Sequence, residues 1–108
     1  MRLATLVLAA GCLAFTAGPA SAGDPEAGRE MAERLCAGCH AVGADDDSRH
    51  EAAPPLRDLA HRYPVVHLEE AFAEGIIVGH HEIPMPEFVF EPPEIADLIA
   101  YLEAVGRE

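Results

Sequence analysis

Two cysteines three residues apart, Cys36 and Cys39, are followed directly by His40. Thiols at this spacing lie about one helical turn apart and on the same side of the chain. A disulfide between them would close only a very small loop and would restrict the unfolded chain little. The pair is therefore a poor structural staple, and together with the adjacent imidazole it indicates a bound cofactor or metal.

The first 22 residues have the pattern of a secretory signal peptide. A single arginine is followed by an apolar run over residues 3–15 and by a small-residue A-x-A ending at Ala22. The apolar run is too short to span a bilayer, which argues against an uncleaved membrane anchor. A lipoprotein signal ending at Cys12 is the other alternative, but it would leave a very short apolar region. We predict cleavage after Ala22 and a single domain over residues 23–108.

A domain of 86 residues buries a modest fraction of its surface, and chains of this size often need a disulfide, a metal or a cofactor. The C-x-x-C-H pattern of Cys36, Cys39 and His40 is typical of covalent attachment of a c-type haem. Two thiols on one side of a helical turn can add to the two vinyl groups at one porphyrin edge. The imidazole that follows can then reach the iron.

Two other chemistries use similar residues. A thioredoxin-like pair needs its first cysteine at a helix N-terminus, whereas Cys36 and Cys39 are predicted near a helix C-terminus. A structural zinc site could combine Cys36, Cys39 and His40 with His80 or His81, but such sites usually join two C-x-x-C-like halves. The motif therefore favours haem over both, and chance occurrence of the motif is the remaining alternative.

A haem iron needs a second axial ligand or an open position, and two methionines follow residue 22. Met31 lies on a helix face that is predicted to pack in the core. Met85 lies between Pro84 and Pro86 in an irregular segment, where a thioether has no packing role. Methionine and histidine together raise the reduction potential of a c-type haem, so Met85 is the predicted second ligand. The neighbouring His80 and His81 are competing candidates.

The remaining pattern is helical, and the predicted class is all-α with about four helices. The first helix starts at Pro25 after Asp24 as cap and has small or apolar residues at helical spacing through Cys39. Two shorter segments, LRDLAHRY and VVHLEEAFAEG, are separated by Pro64. The last helix ends at Gly106 and carries one continuous apolar face of Ile95, Leu98, Ile99, Leu102 and Val105. No β-hairpin signal is present, and the segment GHHEIPMPEFVFEPP has too many prolines for regular structure.

The whole domain resembles a class I c-type cytochrome of the small, bacterial, periplasmic, monohaem kind. Gly28 stands eight residues before Cys36, where that family has a glycine at the crossing of its first and last helices. Leu98 and Tyr101 match the leucine and the aromatic residue of the crossing helix. The segments APPL, over residues 53–56, and MPEF, from Met85, are similar to the family's proline loop and distal methionine segment.

The resemblance implies one covalent haem c, with Cys36 and Cys39 as attachment points and iron held by His40 and Met85. It also implies that the carbonyl of Pro54 accepts a hydrogen bond from the histidine ligand. The remaining residues that it places around the haem are Leu56 and Leu59 in the pocket and Arg62 facing a propionate. Two departures stand out: Ala32 replaces a large aromatic residue, so the helices are expected to pack differently, and the chain has no lysine.

The net charge of the chain limits the partners it can bind, and the remaining histidines and acidic residues have no predicted metal-binding role. After residue 22 the chain has 19 acidic residues against six arginines, a formal charge of −13, which argues against a nucleic-acid partner. His50, His61 and His67 are predicted to be exposed and not to bind metal. Residues 45–47 lack the spacing of a calcium loop and are predicted to be a solvated acidic loop.

These features together predict an exported electron carrier. We expect a periplasmic monomer, not an enzyme, that exchanges single electrons with redox proteins whose own docking face is basic or apolar. Two alternatives stay open. One is a haem sensor or peroxidase-like protein with an open or labile sixth iron position. The other is a dedicated cytochrome subunit of a dehydrogenase or reductase.

Overall fold

The computed structural model describes residue 4 and residues 9–14, 23–75, 79–80 and 83–108. Most of the predicted signal peptide, residues 1–22, therefore lies outside the described residues, as does His81. In the described part of the chain, no helix is long and apolar enough to cross a membrane.

Within the residues described after position 22 there are four α-helices, which confirms the predicted all-α class. They are α1 (Pro25–Leu35), α2 (Leu56–Arg62), α3 (Val65–Glu74) and α4 (Pro92–Gly106). One feature was not predicted: two short strands, β1 (Gly79–His80) and β2 (Ile83–Pro84), pair antiparallel with Gly79 opposite Pro84. A ladder of two residues each depends on neighbouring tertiary contacts, and local sequence preference does not indicate it.

Helix α1 starts as predicted but ends earlier. Asp24 caps it by accepting a hydrogen bond from the amide of Glu26 at 2.9 Å, and Pro25 occupies the first turn. The apolar spacing had extended the helix to Cys39, whereas its last residue is Leu35. Beyond it the backbone tightens into turns, in which the amide of His40 bonds to the carbonyl of Cys36 at 2.9 Å. Gly38 in this segment lowers helix propensity, which accounts for the earlier end.

Helices α1 and α4 cross at Gly28, in close contact. A Cβ atom built on Gly28 would overlap the carbonyl oxygen of Asp97 and lie 2.8 Å from the Cβ of Tyr101. A second link is the amide of Asp24, which donates to Oδ1 of Asp97 at 2.7 Å. Ala32, at the place where the resembling family has a large aromatic residue, is fully buried.

Helix α4 forms the centre of the core. Proline at its start and a capping box between Glu91 and Glu94 fix its N-terminus. Four of the five predicted apolar-face positions are buried, and Ile95 is half-buried against them. Helices α2 and α3 also pack on α4. His61 on α2 reaches the end of α4, with Nε2 2.6 Å from the carbonyl oxygen of Gly106.

Replacing Gly28 by alanine should destabilise the domain strongly. The new methyl group has no space against the backbone of α4, so the two helices must move apart. Overpacking of this kind costs about 1–3 kcal/mol, and here the obstacle is backbone, which cannot rotate away. We expect a loss of about 3 kcal/mol or more in free energy of unfolding, measured by denaturant titration.

Gly38→Ala is the matched control, since a Cβ atom there meets nothing within 4 Å. Its effect on the free energy of unfolding should stay below about 0.5 kcal/mol. Equal losses for the two variants would contradict the close crossing at Gly28.

Candidate functional site

An apolar cavity of about 360 Å³ lies between the turn after α1 and helices α2, α3 and α4. Its volume is in the range of ligand pockets in proteins, about 300–1,000 Å³. Six residues predicted for the site line it: Cys36, His40, Pro54, Leu56, Leu59 and Met85.

A second cavity of about 250 Å³ has Cys36, His40 and Met85 in common with the first. Cys39 lies on this second cavity, beside Leu35. Both cysteines, the histidine and the methionine singled out in the sequence therefore line two neighbouring cavities.

The turn after α1 determines where the two thiols lie. Cys36 is the C-terminal cap of α1, and the amide of Cys39 bonds to its carbonyl at 3.2 Å. Burial raises the pKa of the Cys36 thiol to about 11. A disulfide oxidoreductase requires the opposite, a lowered pKa that makes the thiolate available. The structure therefore argues against the thioredoxin-like alternative.

The imidazole of His40 is held by the proline loop. Its Nδ1 lies 2.6 Å from the carbonyl oxygen of Pro54. A carbonyl can only accept, so Nδ1 carries the proton and donates it. The lone pair is then on Nε2, the nitrogen that is free to bind a metal ion.

Met85 is half-buried, lines both cavities and is followed by a group of aromatic side chains. The ring of Phe90 packs edge-on against Phe72 of α3, with ring centroids 5.7 Å apart, and lies 5.8 Å from the ring of Phe88. These contacts tie the irregular segment after Met85 to the helical core. Met31, by contrast, is buried in the core and lines neither cavity, as predicted.

Arg62 is the one predicted site residue that does not line either cavity. Its side chain is exposed, with Nη2 3.9 Å from Oδ2 of Asp58 one turn earlier on α2. The neighbouring Tyr63 and His67 line the larger cavity instead, and both are largely exposed. Counting residues from Pro54 identified the region but could not determine which side chain faces the cavity.

Sequence reasoning also missed the cavity wall formed by α3 and α4. That wall consists of Leu68, Ala71, Phe72, Leu98 and Leu102. Leu68 and Phe72 stand one helical turn apart, a spacing typical of a buried helix face, but periodicity does not distinguish a face on the core from one on a cavity.

The histidines follow the prediction with one exception. His61 and His67 are exposed as expected, whereas His50 is half-buried and lines the second cavity. The reason is that its amide donates to the carbonyl of Cys39 at 3.0 Å, which holds it against the motif. Of His80 only the backbone, in β1, is described. Among the described residues, no three His, Cys, Asp or Glu side chains come together as a metal site.

A protein-family model described as Cytochrome c matches residues 25–106, which is most of the chain. This chain belongs to the cytochrome c family. The "Cytochrome c-553-like" protein of Synechocystis sp. (strain ATCC 27184 / PCC 6803 / Kazusa) is 31% identical to it over 83 residues. The match covers 77% of this chain and 70% of that protein. No solved structure matches the chain.

As a cytochrome c, the protein carries covalently bound haem c with iron and transfers electrons. The site has the chemistry that this cofactor requires. Its cavities are apolar, two thiols lie on their walls, and His40 has a free Nε2 lone pair. The thioether of Met85 lies on the same cavities.

Proposed function

We propose that this cytochrome is an exported, periplasmic, monomeric carrier of single electrons, with haem attached at Cys36 and Cys39 and iron ligated by His40 and Met85. The observation that carries the proposal is the placement of His40 and Met85 on the same two cavities. When bound, the haem supplies an iron that alternates between the ferrous and the ferric state.

The residues of the chain adjust this chemistry in three ways. His40 donates from Nδ1 to Pro54, which fixes the ring and makes Nε2 more basic. The thioether of Met85 favours ferrous iron and so raises the reduction potential. The leucines and Phe72 on the cavity wall exclude water and lower the local dielectric.

The surface available for partners is strongly acidic. Three of the six arginines after residue 22 lie close to carboxylates, which offset their positive charge. Arg29 binds both Glu26 and Glu33 on α1, the latter at 2.7 Å. Arg57 and Arg62 lie 3.9 Å from Asp46 and Asp58. With 19 carboxylates and no lysine, the remaining surface charge is negative.

Two apolar side chains of segments that reach the smaller cavity are also exposed. Leu35, on the smaller cavity, is 39% exposed, and Val89 in the segment after Met85 is 90% exposed. Exposed apolar side chains within a strongly acidic surface suit a partner with a basic rim around its own redox centre. We therefore propose a basic redox protein as the physiological partner.

Electron transfer with the native partner should slow as salt is added. Attraction between unlike charges speeds encounter by roughly ten- to a thousandfold at low ionic strength, and a Debye length of about 10 Å at 0.1 M removes most of it. Stopped-flow rates across a salt series measure the effect. A basic cytochrome c used in place of this protein should react poorly with the same partner.

Paired variants with the same change of charge locate the docking face. Glu87 is exposed two residues after Met85, whereas Glu69 is exposed on α3. Replacing Glu87 by glutamine should reduce the salt dependence, and replacing Glu69 by glutamine should change it less. Rates that stay constant or rise with salt would contradict a basic partner and would indicate apolar docking.

A further inference from the structure

The backbone that follows His40 is held by hydrogen bonds from three separate parts of the chain. The amide of Ala41 donates to Oγ of Ser48 at 2.9 Å, and its carbonyl accepts from the amide of Leu56 at the same distance. The carbonyl of Val42 accepts from the hydroxyl of Tyr101, a residue 59 positions later on α4. Ala41 and Val42 are both buried, so these groups depend on protein partners rather than water.

The Tyr101 hydroxyl has no evident role in packing the helices. The ring of Tyr101 is buried at the crossing of α1 and α4, beside Gly28, and lines neither cavity. A phenylalanine ring would fill the same space. Burial also raises the pKa of Tyr101, so the hydroxyl keeps its proton and remains a donor. The hydrogen bond to Val42 is therefore what distinguishes tyrosine from phenylalanine here.

This hydrogen bond acts on the same short segment that orients the histidine. Val42 is two residues after His40, and Leu56, which binds the intervening Ala41, is two residues after Pro54. Pro54 is the acceptor for Nδ1 of His40. A shift of residues 41–42 would therefore change the distance between the imidazole and its acceptor.

We propose that Tyr101 is a positioning residue for His40: its hydroxyl fixes the Val42 carbonyl, and through residues 40–42 it holds the imidazole against Pro54. The proposal rests on the proposed role of His40 as an iron ligand. It joins the crossing of α1 and α4 to the iron ligand through one side chain.

The direct test is Tyr101→Phe in the haem-loaded protein, with Val105→Ala as the matched control. Val105 is fully buried on the same helix and lines neither cavity. In Tyr101→Phe the buried Val42 carbonyl loses its partner, and the His40 Nδ1 proton should exchange with water about tenfold faster by NMR. The reduction potential should rise, because a weaker hydrogen bond to Pro54 makes the imidazole a less basic ligand. Val105→Ala should lower the midpoint of unfolding, whereas its Nδ1 exchange rate and its reduction potential should stay at those of the unmodified protein.

The proposal would be overturned if the Tyr101→Phe protein is less stable but keeps the Nδ1 proton exchange rate and the reduction potential of the unmodified protein. Tyr101 would then have a packing role only. If the Tyr101→Phe protein does not fold, hydrogen exchange in the unmodified protein tests the proposal instead. The hydroxyl proton of Tyr101 and the Nδ1 proton of His40 should then exchange through one opening, at rates within a few-fold of each other. Rates that differ by more than about tenfold would overturn it.

Neither exchange measurement depends on Met85 or on a redox partner. Loss of the proposed carrier function would therefore leave the test of Tyr101 intact.

Discussion

Denaturing gel electrophoresis of the haem-loaded protein is expected to leave the pigment on the chain. Two thioether bonds at Cys36 and Cys39 survive unfolding, whereas a haem held by axial ligands alone would be released. Acid–acetone extraction should give the same result. Pigment that extracts freely, or purified protein that carries zinc instead, would contradict covalent attachment at these cysteines.

Cys36→Ser with Cys39→Ser should abolish haem retention and leave a poorly folded chain. The larger cavity alone has a volume of about 360 Å³. Without the porphyrin, the large apolar side chains on its wall would face water, and burying one such side chain contributes about 1.5–3 kcal/mol. A domain of this size has a total stability of about 5–15 kcal/mol, so partial collapse or unfolding should follow. Circular dichroism measures the loss of helix, and Gly38→Ala, inside the same motif and with free space for the new methyl group, is the control that should keep both haem and fold.

Met85→Ala should abolish the weak near-infrared band that a sulfur-to-iron bond gives in the ferric protein. The open position should then bind carbon monoxide or cyanide rapidly, whereas the unmodified protein should bind them slowly. Met85→His should keep the iron six-coordinate and lower the reduction potential, since imidazole favours ferric iron more than a thioether does. Met31→Leu is the matched control, because Met31 is buried away from both cavities.

Two outcomes would decide against Met85 as the ligand. A band that persists in Met85→Ala would assign the sixth position to another residue. Rapid carbon monoxide binding by the unmodified protein would favour the sensor or peroxidase-like alternative.

Local sequence signals predicted the parts of the fold that depend on local physics. Asp24 and Pro25 mark the start of α1, and the apolar face of α4 marks its buried side. The Cys36–His40 motif has little freedom, because its spacing is set by one turn of backbone. These are features in which neighbouring residues determine the conformation.

Features that depend on distant contacts were missed. The spacing of Arg62 from Pro54 did not indicate its contact with Asp58, 3.9 Å away, and its role towards a propionate stays a prediction. Tyr63 and His67 take places on the cavity that no local pattern indicated. The hydrogen bond from Tyr101 to Val42 joins segments that are far apart in the chain, and no periodicity could reveal it.

The close crossing of the first and last helices has a consequence for the rate of folding. The contact from Asp24 to Asp97 closes a loop of 73 residues, and closing such a loop costs about 4 kcal/mol of chain entropy. That cost falls before the contacts at Gly28 can repay it, so the crossing is expected to slow folding relative to a bundle whose contacts are all between neighbouring helices.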